Sequence, residues 1–305
     1  MRELLVGLVP WGVDAIVAIQ AASGNALDPL FRAITWLGDA YIYLPLLSLA
    51  LWRGDKPRGM RLALLLLFSM YLNLLIKDVF AIPRPFVVSS AVLAKDFATG
   101  YSFPSGHAQG VTTLWLGLAV IYARRGALAV GGILIPLVSF SRVYLGVHYP
   151  QDAVGGILLG LAVVGAYRLL EPPLSHWWYR QPTVVGVALC VLGPLALAVL
   201  TPDPNAHAVA GAILGLSLGR TIEVGWSDGW PAQGGLALVL RILMGAVVAG
   251  AAYVVASLAV AVACRGGIAA PALIALGQST LVGLAITLGV PWLFGQLGRR
   301  DQARP

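Results

Sequence analysis

Three short stretches of this chain carry residues that can do chemistry together: Lys77 to Pro85 (KDVFAIPRP), Pro104 to His107 (PSGH) and Ser141 to Asp152 (SRVYLGVHYPQD). Besides Asp78, they bring two histidines, three basic side chains and one carboxylate, Asp152, to the ends of apolar segments. Hydrocarbon has no cheap place for so much polarity unless a function needs it. The set suits holding a phosphate and attacking its phosphorus with an imidazole.

Each residue type has a reason to be there. Lys77 closes an apolar segment, and Arg84 follows past Pro83, where a helix is expected to break. Arginine offers a planar fork that matches phosphate oxygens, and lysine a compact point charge. Arg142, at the end of a later segment, would be a third clamp. Each cation alone reads as a snorkelling interfacial residue; beside histidine motifs on one side, the three read as a phosphate clamp. Pro104 to His107 opens a helix whose unpaired N–H groups and positive dipole end attract an anion. Gly106 lets the backbone approach phosphoryl oxygens. Ser105 can donate a hydroxyl or cap the helix, and both can hold. If a helix starts at Pro150, Asp152 reaches back to His148, fixing its tautomer and leaving the other ring nitrogen as nucleophile. His107 would carry a proton to the departing oxygen, which predicts a bell-shaped pH dependence.

The elements that position these residues are membrane spans. The chain has 305 residues, 59% hydrophobic and 11% charged, with mean hydropathy +0.85. Apolar runs of about 20 residues, enough to cross a bilayer, recur throughout. The spans are expected at 28–52, 60–81, 104–123, 127–147, 151–170, 183–200, 206–220, 236–263 and 270–297. The N-terminal stretch reads as an interfacial helix rather than a signal peptide. The fold class is therefore all-α, a polytopic transmembrane helical bundle. Glu171-Pro172-Pro173 is expected to end the fifth span, which divides the chain into a core, 1–173, and an extension of about four spans, 174–305.

The net charge of +7 follows topology, not a nucleic-acid partner. With alternating spans, Arg53, Lys56, Arg58, Arg61, Arg124, Arg125, Arg168, Arg180, Arg220, Arg241, Arg299, Arg300 and Arg304 share one side, which the positive-inside rule makes cytoplasmic. The three motifs then face outward. Cys190 and Cys264 show neither a disulfide framework nor metal spacing; no cofactor is expected. In the extension, Gly211, Gly215 and Gly219 form a bare helix face suited to close packing against the core or a second copy, a possible homodimer contact. Asn73, and Asp39 with Arg32, read as helix-packing or pairing residues.

Gathered together, the motifs resemble the type 2 phosphatidic acid phosphatase superfamily, whose signature is K-x6-RP, PSGH and SR-x5-H-x3-D. Lys77, Arg84 and Pro85 fill the first part; Pro104, Ser105, Gly106 and His107 the second; Ser141, Arg142, His148 and Asp152 the third. Every specified position matches, in order. The resemblance covers roughly Asp28 to Arg168. It implies a six-helix core, here five spans with the N-terminal helix, and a metal-independent reaction through a phosphohistidine. By position it makes His148 the nucleophile, Asp152 its orienting partner, and His107 the group that protonates the leaving oxygen and then activates water. Lys77, Arg84, Arg142, Ser105 and the Gly106 backbone would hold the phosphoryl oxygens.

The expected function is a membrane lipid phosphatase acting on a lipid monophosphate or diphosphate such as phosphatidate, phosphatidylglycerophosphate or undecaprenyl diphosphate. It would sit in a cell (inner) membrane with its site on the outer, periplasmic side. A phosphotransferase using the same intermediate is the nearest rival. A transporter of phosphorylated compounds is the rival from another class, but it predicts charges deep in several spans, whereas these gather at one face.

Overall fold

A computed structural model of the chain describes residues 1–39, 42–43, 47, 50–52, 55–224, 236–265 and 271–293. Arg53, Arg299, Arg300, Arg304 and parts of the expected spans 28–52 and 270–297 lie outside them. Regular structure among the described residues is helical: α1 (Arg2–Gly7), α2 (Val9–Ser23), α3 (Asp28–Trp36), α4 (Lys56–Phe80), α5 (Pro85–Val88), α6 (Gly106–Tyr122), α7 (Arg125–Tyr144), α8 (Pro150–Trp178), α9 (Thr183–Val199), α10 (Pro204–Val224), α11 (Leu236–Arg265) and α12 (Pro271–Leu284), the last continuing into a π-turn over Ala285–Gly289. Five helical segments are long and apolar enough to cross a membrane: Arg2–Ser23, Lys56–Val88, Arg125–Tyr144, Pro150–Trp178 and Pro271–Leu293. The protein is a multi-pass membrane protein.

The chain forms two compact units. One comprises Met1–Leu44 and Phe68–Pro172, the other Pro45–Leu67 and Pro173–Pro305. The three motifs lie in the first. The second takes 45–67 as well as the C-terminal helices, so α4 contributes to both.

Two features of the first unit bring the motifs together. In α8, Gly156 and Gly160 form a small-residue face against α6. A Cβ on Gly156 would stand 2.5 Å from Ser105 O, and one on Gly160 2.8 Å from Thr112 Cβ. That approach lets Asp152, one turn before Gly156, accept at its carbonyl from Ser105 N at 3.0 Å. Between α4 and α6, Asn73 Nδ2 donates to Gln109 Oε1 at 2.7 Å and to Pro104 O at 3.3 Å. Gln109 Nε2 donates to Ser69 O at 2.7 Å. Buried amides joined in this way hold helices that lipid alone does not press together. Asn73 is a packing residue, as its place in the sequence suggests.

The N-terminal helices show why length alone does not set orientation. Arg2 Nε donates to Phe80 O at 3.1 Å. At the other end Gln20 Nε2 donates to Leu93 O at 2.8 Å and to Tyr144 O at 3.2 Å. Phe80 and Tyr144 close α4 and α7 at the same end of the bundle, so α1 and α2 run across that end rather than through it. Leu5, Gly12, Ile16 and Gln20 face inward, while Leu4, Val6, Leu8 and Trp11 are exposed.

Three expectations need correction. The span over 28–52 is not one continuous helix: α3 stops at Trp36 and the chain turns through Leu37–Asp39. The turn presents Gly38 backbone where a Cβ would meet Val138 Cγ1 at 2.6 Å and His107 Cδ2 at 3.1 Å. Pro172 and Pro173 do not stop α8, which runs on to Trp178. Each proline forfeits its own N–H bond, but later N–H groups still find carbonyls, as Tyr179 N does at Ser175 O, 3.0 Å away. In the second unit, Gly211, Gly215 and Gly219 pack on α12 and the π-turn of the same chain: their Cβ positions lie 2.1 Å from Leu276 O, 2.2 Å from Thr280 O and 1.9 Å from Thr287 Oγ1. The face expected to serve a homodimer is therefore already filled.

Candidate active site

The third motif folds as its spacing predicts. Helix α7 ends at Tyr144, Gly146 turns the chain with φ +72°, and α8 starts at Pro150. Gly146 is required twice over, since a Cβ there would stand 2.4 Å from Leu93 O. Asp152 then lies one turn beyond His148, and His148 Nδ1 is 3.3 Å from Asp152 Oδ2. The same oxygen accepts from Tyr149 N at 2.9 Å and from the Ser102 hydroxyl. With Nδ1 donating to Asp152, Nε2 presents its lone pair. Arg84 Nη1 sits 3.3 Å from that nitrogen.

The cations reach the site from separate elements. Arg84, buried beyond the end of α4, donates through Nη1 to Val147 O at 2.8 Å, through Nε to Thr99 O and Gly100 O at 3.2 and 3.1 Å, and through Nη2 to Thr99 O at 2.6 Å. Lys77, in the last turn of α4, donates to Tyr101 O at 3.0 Å. Arg142 donates through Nη1 to Asp96 Oδ2 at 2.6 Å and to Thr35 Oγ1 at 2.7 Å. Burial first, then the positive fields of Arg84, Lys77, Arg142 and His107, hold the His148 imidazole well below the usual histidine range. Both effects favour the neutral form of the imidazole.

The second motif adjoins the third through its backbone, Ser105 N donating to Asp152 O at 3.0 Å. Ser105 caps α6, its Oγ accepting from Ala108 N at 3.5 Å, so its hydroxyl serves the helix in this structure. Gly106 begins α6, with Asn73 Oδ1 3.3 Å from where its Cβ would be. His107 packs on Gly38. Arg32 Nε donates to Lys95 O at 3.0 Å. Among the described residues, no group of three or more His, Cys, Asp or Glu side chains could hold a metal ion.

The segment Lys95–Ser102 (KDFATGYS) escaped the sequence reading. It supplies Asp96 to Arg142, the carbonyls of Thr99 and Gly100 to Arg84, that of Tyr101 to Lys77, and the Ser102 hydroxyl to Asp152. One eight-residue strap therefore touches all three cations and the carboxylate. Carbonyl acceptors leave no mark in residue type, so only Asp96 and Ser102 could have signalled it.

The family model described as PAP2 superfamily matches residues 58–175, a stretch that contains all three motifs. An undecaprenyl-diphosphatase from Sulfolobus acidocaldarius is 35% identical over 154 residues, which cover 50% of this chain and 74% of that protein. The chain belongs to the PAP2 superfamily. Lipid phosphate phosphatase delta from Arabidopsis thaliana is 26% identical over 219 residues, covering 64% of this chain but about half, 52%, of that protein. A crystal structure of a PAP2-type phosphatidylglycerolphosphate phosphatase from Bacillus subtilis aligns with a TM-score of 0.44 and 23% identity, covering 56% of this chain and 96% of that one. The PAP2 match stops at residue 175, so α9 to α12 fall outside the family region.

Proposed function

We propose that the protein is a membrane lipid phosphatase that works through a phosphohistidine on His148. The observation that carries this reading is the His148–Asp152 pair, with Nε2 turned toward Arg84 and within the fields of Lys77, Arg142 and His107. The Nε2 lone pair attacks phosphorus while the bond to the lipid oxygen breaks. His107 gives that oxygen its proton. Water then attacks the phosphohistidine, losing a proton to His107, and the P–N bond electrons return to Nε2. Lys77, Arg84, Arg142 and the N-terminus of α6 stabilise the negative charge that grows on the phosphoryl oxygens.

The substrate is a lipid monophosphate or diphosphate lying in the same bilayer, its headgroup at the depth of the helix ends. The distribution of loop arginines supports a cell inner membrane with the site facing the periplasm. Purified protein in detergent, given a panel of lipid phosphates with chelator present, should release inorganic phosphate, and vanadate should block it. Acid-labile phosphate trapped on the wild type and lost in His148→Ala is the expected signature of the intermediate. Wild-type protein inert toward every lipid phosphate in the panel would overturn the proposal. Adding alcohol acceptors tests the phosphotransferase alternative, which requires transfer to alcohol to outrun hydrolysis.

A further inference from the structure

A carboxylate inside a phosphate site opposes the ligand's charge, so Asp96 needs a reason to be there. Its Oδ2 accepts from Arg142 Nη1 at 2.6 Å, and Thr35 Oγ1 accepts from the same nitrogen at 2.7 Å. Arg142 is only 3% exposed, yet its buried Nε has no hydrogen-bond partner among the described residues. Nε and Nη2 share the edge of a guanidinium that grips a phosphate with two parallel bonds. One corner of the fork is pinned, and a buried donor on the gripping edge is left for a ligand.

Asp96 is itself held in place. Its neighbour Lys95 donates from the backbone to Leu145 O at 2.9 Å, and from Nζ to Gly24 O and Asp28 Oδ1, each at 2.7 Å. Leu93 exchanges two hydrogen bonds with the Gln20 amide, at 2.8 and 3.0 Å. The strap therefore hangs from α2, α3 and the end of α7, and Asp96 extends from it as a fixed arm.

We propose that Asp96 is a positioning residue for phosphate binding: together with Thr35 it pins Nη1 of Arg142 so that the Nε edge faces the phosphoryl group at His148. This rests on the phosphate-binding reading of Arg142 given above. The negative charge of Asp96 weakens the site's pull on an anion. The gain is a long, rotamer-rich side chain ordered before the ligand arrives, which lowers the entropy lost on binding.

The test uses the full-length protein in detergent, reading KM and kcat on a short-chain lipid phosphate and the Kd of orthovanadate by thermal shift. Asp96→Ala should raise KM and the vanadate Kd about tenfold, with kcat within about threefold. Asp96→Asn, whose amide oxygen still accepts from Nη1, should recover most of that loss. In an Arg142→Lys background, itself weakened because a point charge cannot replace the fork, Asp96→Ala should add less than about threefold. Tighter binding in both Asp96 variants would make Asp96 a competing anion and overturn the proposal. So would an equal effect in both backgrounds, or a lower Tm with KM and Kd unchanged. Wild-type protein that binds vanadate but hydrolyses no lipid phosphate sinks the phosphatase reading, while the vanadate Kd still decides the role of Asp96. Protein that does neither sinks both.

Discussion

The unit that carries the motifs and the unit formed mainly by the C-terminal helices solve the same packing problem with different materials. Both bring helices close through glycines: Gly156 and Gly160 against α6 in the first, Gly211, Gly215 and Gly219 against α12 and the π-turn in the second. In the first, the close approach serves a buried polar centre containing Arg84, Ser102, Ser105, Arg142, His148 and Asp152. In the second, the buried polar residues among those described are Thr201, His207 and Thr287, and the Thr287 hydroxyl donates to Gly283 O in its own helix. Small residues by themselves therefore signal helix packing in lipid. Buried charge held by specific acceptors signals chemistry.

The largest effect that can break this contrast is His148→Ala. Phosphate release should fall by on the order of 10⁴-fold while the melting transition in detergent persists; substantial remaining turnover would place the nucleophile elsewhere. Asp152→Asn comes next. Its amide cannot fix the imidazole as the carboxylate does, so kcat should drop roughly 10²- to 10⁴-fold with little change in KM. A change confined to KM would contradict an orienting role.

A paired glycine experiment sharpens the comparison directly. Gly156→Ala and Gly211→Ala both push a methyl into backbone carbonyl, and each should destabilise by roughly 1–3 kcal/mol, read as a lower Tm. Gly156→Ala should also reduce the specific activity of the folded protein by up to about 10²-fold, because it displaces Ser105 and the start of α6. Gly211→Ala should leave that activity near normal; equal losses at the two positions would erase the distinction between the regions. The smallest effect is on pH. His148 must be unprotonated to attack, and burial with cationic neighbours holds its proton affinity down. Activity should thus survive as pH falls through 6.5, and the acidic limb of kcat/KM should lie below that value. A limb centred at or above 6.5 would refute a depressed nucleophile.

Some of the site could be read before any coordinates because its residues are chemically conspicuous. Lys77, Arg84, His107, Arg142, His148 and Asp152 stand at ends of apolar runs, where hydrocarbon penalises them, and the His148–Asp152 spacing is set by one helical turn. The strap was not readable, since Thr99, Gly100 and Tyr101 act through carbonyls that every residue has. Gly38 escaped for a related reason: its importance comes from His107, far along the chain, packing on its backbone. The N-terminal helix shows the opposite case. Its composition permits a crossing, and only the hydrogen bonds at Arg2 and Gln20 lay it across the end of the bundle.

Composition and periodicity by themselves determined that this is an all-helical membrane protein, and motif spacing determined that His148 and Asp152 meet between two helices. Both are local properties, governed by the price of exposing backbone or charge to lipid. Tertiary structure alone decided that α8 continues through Pro172 and Pro173, that the C-terminal glycine face is filled from within the chain, and that Asp96 meets Arg142. Those outcomes depend on which distant surfaces meet, and steric fit between them has no periodicity along a single strand of sequence.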